Sequence, residues 1–156
     1  MITEHKVYAA STNSSITKNL MMHVYDFSTD SFDWSKEIAC WAGTCSRQQT
    51  EAIHDSTNNQ IIAFNVFNNV GLMYFLNATD GSLTKDKFVL SGSAETVLNM
   101  ILHNNQTLYI TVQVSGVFMI IIFDVNDSTY DIYDVTDVYV YDINIYDTNQ
   151  RYFKLI

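Results

Sequence analysis

The chain has 156 residues, 47% of them hydrophobic and only 16% charged, with a net charge of −9. That is long enough for one domain with a sizeable core, and too apolar for a disordered chain. An acidic balance, with a sequence pI near 4.5, argues against nucleic acid and against docking on an anionic membrane, since both need Lys and Arg.

Ten Tyr and nine Phe accompany Val, Ile and Thr in the apolar runs, a mixture that fits pleated, half-buried strands. There is no Pro, so turns must rest on Asn, Asp, Gly and Ser. In chain order, Glu4 to Tyr8 moves straight into a strand-like pattern without the features of a signal peptide. It reads as the start of a mature chain or of a piece of something longer. Leu20 to Asp26 is apolar, Asp26 to Asp30 is a polar turn, and Phe32 to Ile38 is an edge strand. Cys40 and Cys45 then flank Trp41-Ala42-Gly43-Thr44. Their spacing permits a disulfide closing a small loop, and in a reducing compartment they would be two thiols. A zinc site would need two more ligands.

Glu51 to Asp55 and Ile61 to Phe64 read as strands, followed by Leu72 to Asn77, the turn Asn77 to Gly81, and an alternating strand from Leu83 to Val89. Glu95 to His103 could pass for two helical turns over Ala94 to Ile101, but its place in a repeat decides for strand. Leu108 to Ile110, Phe118 to Asp124, Tyr130 to Asp134 (alternating apolar and polar, as a strand with one wet face should), Asp137 to Asp147 and Tyr152-Phe153 complete the set. The most apolar run, Val117 to Phe123, is far below the ~20 residues of a membrane-spanning helix, so no membrane insertion by this segment is expected.

The chain repeats itself. Asn58-Asn59-Gln60 recurs as Asn104-Asn105-Gln106 and partially as Asn149-Gln150, so the glutamines stand 46 and then 44 residues apart. Each copy leads into an apolar strand, a second apolar strand ending in Asp or Asn, a polar turn and an outer strand. A unit of about 46 residues and four short strands is the sequence signature of a propeller blade. The expectation is an all-β chain of about three β-propeller blades, each of four antiparallel strands, as an incomplete ring or a fragment. It divides as 1–48, a partial blade plus the Cys loop; 49–92, a blade; 93–136, a blade; and 137–156, a partial blade. The span Asp26 to Asn77 is 51 residues against 47 for Asn77 to Asp124, so the Cys loop is an insertion.

The order Phe32-Asp33-Trp34-Ser35-Lys36, Gly43-Thr44, Glu51-Ala52-Ile53, Asp55, Asn58-Asn59-Gln60-Ile61 resembles the seven-bladed or SBBP-type β-propeller repeat. The second copy keeps Thr84-Lys85, Ser91-Gly92 and Asn104 to Tyr109, and the third has lost the Trp-Ser-Lys and Gly features. The resemblance implies a generally non-enzymatic surface or secreted module, often part of a much larger protein.

Four Asn-x-Ser/Thr sequons, at Asn13, Asn77, Asn105 and Asn126, fall in predicted turns where a glycan could sit; in a secreted chain Asn77 and Asn105 are the expected carriers. Seven Asp from Asp124 to Asp147 interleave with Tyr, which strand alternation explains better than a calcium loop. His5, His23, His54 and His103 do not share one repeat position. No catalytic, cofactor-binding or metal-binding residue is expected.

The functional expectation is a non-enzymatic structural or protein-interaction module of an extracellular or cell-surface assembly, its partners other protein chains through self-assembly or a larger complex. The polar loops Ser11 to Lys18 and Gly43 to Gln49, with the turns Asn68-Asn69 and Ser91-Gly92-Ser93, are the expected contact surfaces. A glycan-binding module using Trp41 and a lineage-specific intracellular subunit of a large complex are the alternatives.

Overall fold

A computed structural model describes residues 5–12, 20–38, 50–67, 70–85, 88–91 and 96–134. These form eleven strands and three antiparallel meanders. Sheet 1 holds β1 (Lys6–Thr12), β2 (Leu20–Asp26) and β3 (Ser31–Ile38). Sheet 2 holds β4 (Thr50–Asp55), β5 (Gln60–Phe67), β6 (Val70–Asn77) and β7 (Phe88–Ser91). Sheet 3 holds β8 (Thr96–His103), β9 (Thr107–Val114), β10 (Val117–Asp124) and β11 (Tyr130–Asp134). Among the described residues no helix is long and apolar enough to cross a membrane. Asn13, Cys40, Trp41, Cys45 and residues 137–156 lie outside the described residues, as do most of the polar loops expected as contact surfaces.

The sheets pack through their faces, because strand alternation sends successive side chains to opposite sides. One core joins Leu20, Met22, Val24 and Ile38 of sheet 1 to Ile61, Ala63, Leu72, Tyr74 and Leu76 of sheet 2. A second joins Ile62, Phe64, Val66, Met73 and Phe75 of sheet 2 to Leu108, Ile110, Val112, Ile121 and Phe123 of sheet 3. Sheet 2 is thus buried on both faces, and every residue from Gln60 to Val66 is buried. Each large side chain so covered contributes roughly 1.5–3 kcal/mol. We call the side of a sheet that faces the next sheet in the chain its forward face, and the other its rear face. Both junctions set a forward face against a rear face.

The turn leading into the last strand of each sheet repeats in atomic detail. Asp26, Asn77 and Asp124 each end their strand, and each side-chain Oδ1 accepts the amide two residues on, from Ser28, Thr79 and Asn126, at 2.7, 2.8 and 2.8 Å. Four residues on, Asp30, Gly81 and Ser128 take φ of 54°, 69° and 62°. The preference for Asp and Asn at the strand end follows from this Asx turn. Asn59, Asn104 and Asn105 take φ of 49°, 50° and 55°, which Asn tolerates better than most residues.

Two expectations are modified. Leu83 to Val89 is not one strand: Leu83 makes a single bridge to Leu76, and β7 begins only at Phe88. Lys85 leaves the ladder, donating from Nζ to Val125 O at 2.6 Å with the ammonium 5.0 Å from the centre of the Phe75 ring. Tyr130 to Asp134 is a strand, but exposed throughout and not on one face alone, because it is the edge of the last described sheet.

Candidate interaction site

The junction of sheets 1 and 2 opens at one end into a cleft of about 620 Å³, a size within the range of small-molecule sites. The start of β1 supplies His5, Lys6 and Tyr8, β3 supplies Asp33, and the end of β4 supplies His54. The turns after β4 and β6 bring Asn59 and Thr79. Asp33 reaches the cleft because the β2–β3 ladder slips between Val24 and Tyr25, where Val24 pairs with Trp34 and Tyr25 with Phe32, leaving Asp33 as the extra residue of a bulge.

Lys6 Nζ meets Asp33 Oδ2 at 2.5 Å and Asp26 Oδ2 at 3.8 Å, and the hydrogen bond with Asp33 raises the lysine above its ordinary pKa. Across the junction the Tyr8 and His54 rings stack at 4.9 Å and 20°. Burial pushes the Tyr8 hydroxyl up and the His54 imidazole down, which favours the neutral ring. Asn59 Nδ2 donates to Thr79 Oγ1 at 2.9 Å. The cleft therefore offers a lysine engaged by two carboxylates, a neutral imidazole stacked on a tyrosine ring, an amide and a hydroxyl. Its chemistry suits a neutral, hydroxyl-rich ligand: a free anion would have to displace Asp33, and a free cation would meet Lys6.

A second polar arrangement lies on the rear face of sheet 1. His23 Nε2 is 3.1 Å from Ser11 Oγ and its Nδ1 is 2.9 Å from Ser35 Oγ, so one ring spans three strands. With both ring nitrogens bonded to hydroxyls and no carboxylate orienting the imidazole, this is a cross-strand ladder and not a nucleophile–base pair. Among the described residues no group of three or more His, Cys, Asp or Glu is arranged to hold a metal ion.

Of the sequon residues, Asn105 and Asn126 are exposed in turns, while Asn77 is half-buried with its amide oxygen engaged by Thr79. None of the three lines the cleft. Sequence reasoning missed the cleft because its residues come from two repeats at unlike positions. The one usable signal was that Lys6, Asp33 and His54 each sit within a few residues of a strand end.

No protein-family model and no curated protein matches this sequence. The site therefore has to be interpreted from its own geometry.

Proposed function

We propose that the three sheets are blades of a β-propeller-type array and that the chain is a non-enzymatic structural or protein-interaction module, working in an extracellular or cell-surface assembly. The observation that carries this is the two-sided burial of sheet 2 together with exposed aromatics on the two sheets that flank it: Phe27 and Phe32 are 59% and 63% exposed beside and on sheet 1, and Tyr133 is 50% exposed on sheet 3. Among the described residues, a stack whose middle is dry and whose flanking sheets carry exposed aromatics is suited to contact with further polypeptide.

Native material tests the reading. Cross-linking and mass spectrometry should find the chain joined to protein through these flanking sheets, with Cys40 and Cys45 oxidised and at least one sequon carrying a glycan. A free 17.9 kDa chain with reduced thiols and bare sequons would refute it.

The cleft favours a second reading, a glycan-binding module. Trp34 Nε1 donates to the carbonyl of Ala78, which lines the cleft, at 3.1 Å, so a bound neutral sugar should change Trp34 fluorescence in a Trp41→Phe background. An unchanged spectrum across a panel of neutral mono- and disaccharides would remove this reading and leave the first intact.

A further inference from the structure

Trp34 and Lys85 hold the same place in successive units. Trp34 stands eight residues after the Asx-turn residue Asp26, and Lys85 stands eight after Asn77. Each also stands where the outer strand leaves its ladder: Asp33 is extruded just before Trp34, and Lys85 falls between the Leu76↔Leu83 bridge and the start of β7 at Phe88. A bulge or break of this kind re-aims the side chain beside it. Both side chains donate to the carbonyl of the residue after the Asx residue of the next sheet. Trp34 Nε1 reaches Ala78 O at 3.1 Å, and Lys85 Nζ reaches Val125 O at 2.6 Å. These contacts fasten the two junctions.

The two acceptors are presented alike. Ala78 and Val125 are 5% and 2% exposed, and their amides donate to Asn59 O and Gln106 O at 2.9 and 2.8 Å. Three residues further on, the amides of Gly81 and Ser128 donate to Asn77 O and Asp124 O at 2.9 and 3.0 Å, with φ of 69° and 62°. A Cβ at this place meets the incoming donor, since on Gly81 it would stand 2.7 Å from Trp34 Cζ3. Ser128 carries that Cβ, and the donor arriving there is the slim aminoalkyl chain of Lys85.

We infer that these residues form a docking code: the donor eight residues after one Asx residue is matched in size to the residue four after the next. An indole fits the turn of Gly81, and an ammonium on a slim stem serves the turn of Ser128. The pairing specifies that sheet 1 closes on sheet 2 and sheet 2 on sheet 3. It goes beyond the interaction-module reading and does not depend on it.

The repeat makes such a code useful. The three sheets are meanders joined by like turns, and chains of like units are prone to wrong docking. If sheet 1 closed on sheet 3, the indole would meet the Ser128 Cβ well inside the ~3.5–4.0 Å of ordinary contact, a clash that rejects the wrong partner. Lysine brings its own compensation at the second junction. Its ammonium lies 5.0 Å from the centre of the Phe75 ring, so cation–π attraction stands in for the packing of an indole. Lys85 is exposed as a residue, as a side chain that turns in only its tip would be. Ile132 holds the same place in the third unit, eight residues after Asp124, and has no side-chain donor.

A double-substitution cycle in the full chain, followed by urea unfolding, tests the match. Lys85→Trp alone should lower the folding equilibrium constant about tenfold or more, and adding Ser128→Gly should recover most of that loss. Ser128→Gly by itself relieves only a left-handed backbone; that gain is common to both backgrounds and cancels in the cycle. In a Trp41→Phe background the added indole should emit further to the blue with Ser128→Gly than without it, which backbone relief alone would not produce. Lys85→Met should cost about fivefold in the same constant and Lys85→Arg much less; these two carry the test should Lys85→Trp not fold. Additive effects of Lys85→Trp and Ser128→Gly would overturn the inference. So would an emission unmoved by Ser128→Gly, or a Lys85→Met chain as stable as the wild type.

Discussion

Gly81→Ala isolates the fastening between sheets 1 and 2. At Gly81, with φ of 69°, an added Cβ would stand 2.7 Å from Trp34 Cζ3, 2.8 Å from Cε3 and 3.1 Å from Cη2. Ordinary contact is ~3.5–4.0 Å, so the indole must withdraw by about 0.8 Å or more. That lengthens its 3.1 Å hydrogen bond to Ala78 O beyond useful range, a loss of about 1 kcal/mol. Lost ring packing adds about as much, and the left-handed backbone costs an L-residue roughly 1–2 kcal/mol. The sum is about 3.5 kcal/mol. Gly116→Ala is the control: its φ is 81°, and an added Cβ meets nothing within 4 Å, so it should lose only the backbone part. The difference of about 2 kcal/mol corresponds to roughly 4–8 °C in melting temperature for a chain of this size. Urea titrations in a Trp41→Phe background would measure both variants and also report the Trp34 emission, which should shift to the red only in Gly81→Ala. In a Trp34→Ala background the excess cost of Gly81→Ala should vanish. Equal losses at the two glycines, or an excess that persists without the indole, would refute the argument.

Tyr74 is fully buried, and neither its hydroxyl nor Asn65 Oδ1 has a hydrogen-bond partner among the described residues. Tyr74→Phe should therefore be neutral or stabilising, by up to about 2 kcal/mol in urea unfolding. Burial pushes the Tyr74 pKa up to about 12 from 10.0. A raised folded-state pKa gives stability that is complete below pH 10 and is lost as pH rises towards 12, so the wild-type protein should weaken over that window and Tyr74→Phe much less. Asp55 is 0% exposed and accepts from the amides of Thr57 and Asn58 and from the side chains of Asn58 and Gln60. Burial alone would raise its pKa, but these hydrogen bonds outweigh it and hold the carboxyl below its ordinary value. The resulting stability is present above about pH 4 and lost as pH falls through the depressed value. Asp55→Ala should cost about 3 kcal/mol at neutral pH and flatten the acid limb of a stability–pH curve.

Much of the fold could be read from the sequence because its signals are local. The Asx turns at Asp26, Asn77 and Asp124 require Asp or Asn at the strand end, so the repeat announced itself in residue types. Continuous apolar runs such as Ile61 to Phe64 and Leu72 to Leu76 correspond to strands covered on both faces, whereas β9 alternates buried with half-buried residues as strands with one deeply packed face do. The breaks were not legible. Alternation from Leu83 to Val89 looked unbroken because Lys85 is polar where a solvent-facing residue would be, and its real partners, Val125 O in the turn after β10 and the Phe75 ring on β6, are remote in sequence or on another strand. The cleft escaped for the same reason: Lys6, Asp33, His54 and Thr79 share no motif and meet only when sheet 1 docks on sheet 2.

The two junctions are unequal, and their difference says which part of the molecule opens first. Between sheets 2 and 3 the core carries Phe64, Phe75 and Phe123, with the two latter rings 6.1 Å apart, and each large aromatic there is apolar. Between sheets 1 and 2 the rear face of sheet 2 presents Ala63 and Ala78 and, among the described residues, a tyrosine hydroxyl without a partner and an unsatisfied amide oxygen, and its margin is hollowed by the cleft. Smaller buried side chains and orphaned polar atoms both lower the free energy gained on closure. Separation at this junction should therefore precede global unfolding as a sub-global opening. Native-state hydrogen exchange should show the amides of β2, Leu20–Asp26, exchanging before those of β6 and β10, although all three are central strands of their own sheets. Tyr74→Phe should narrow that gap by removing one orphan. Uniform protection across the three strands would mean that the stack opens as one unit and that the asymmetry of its cores is without energetic consequence.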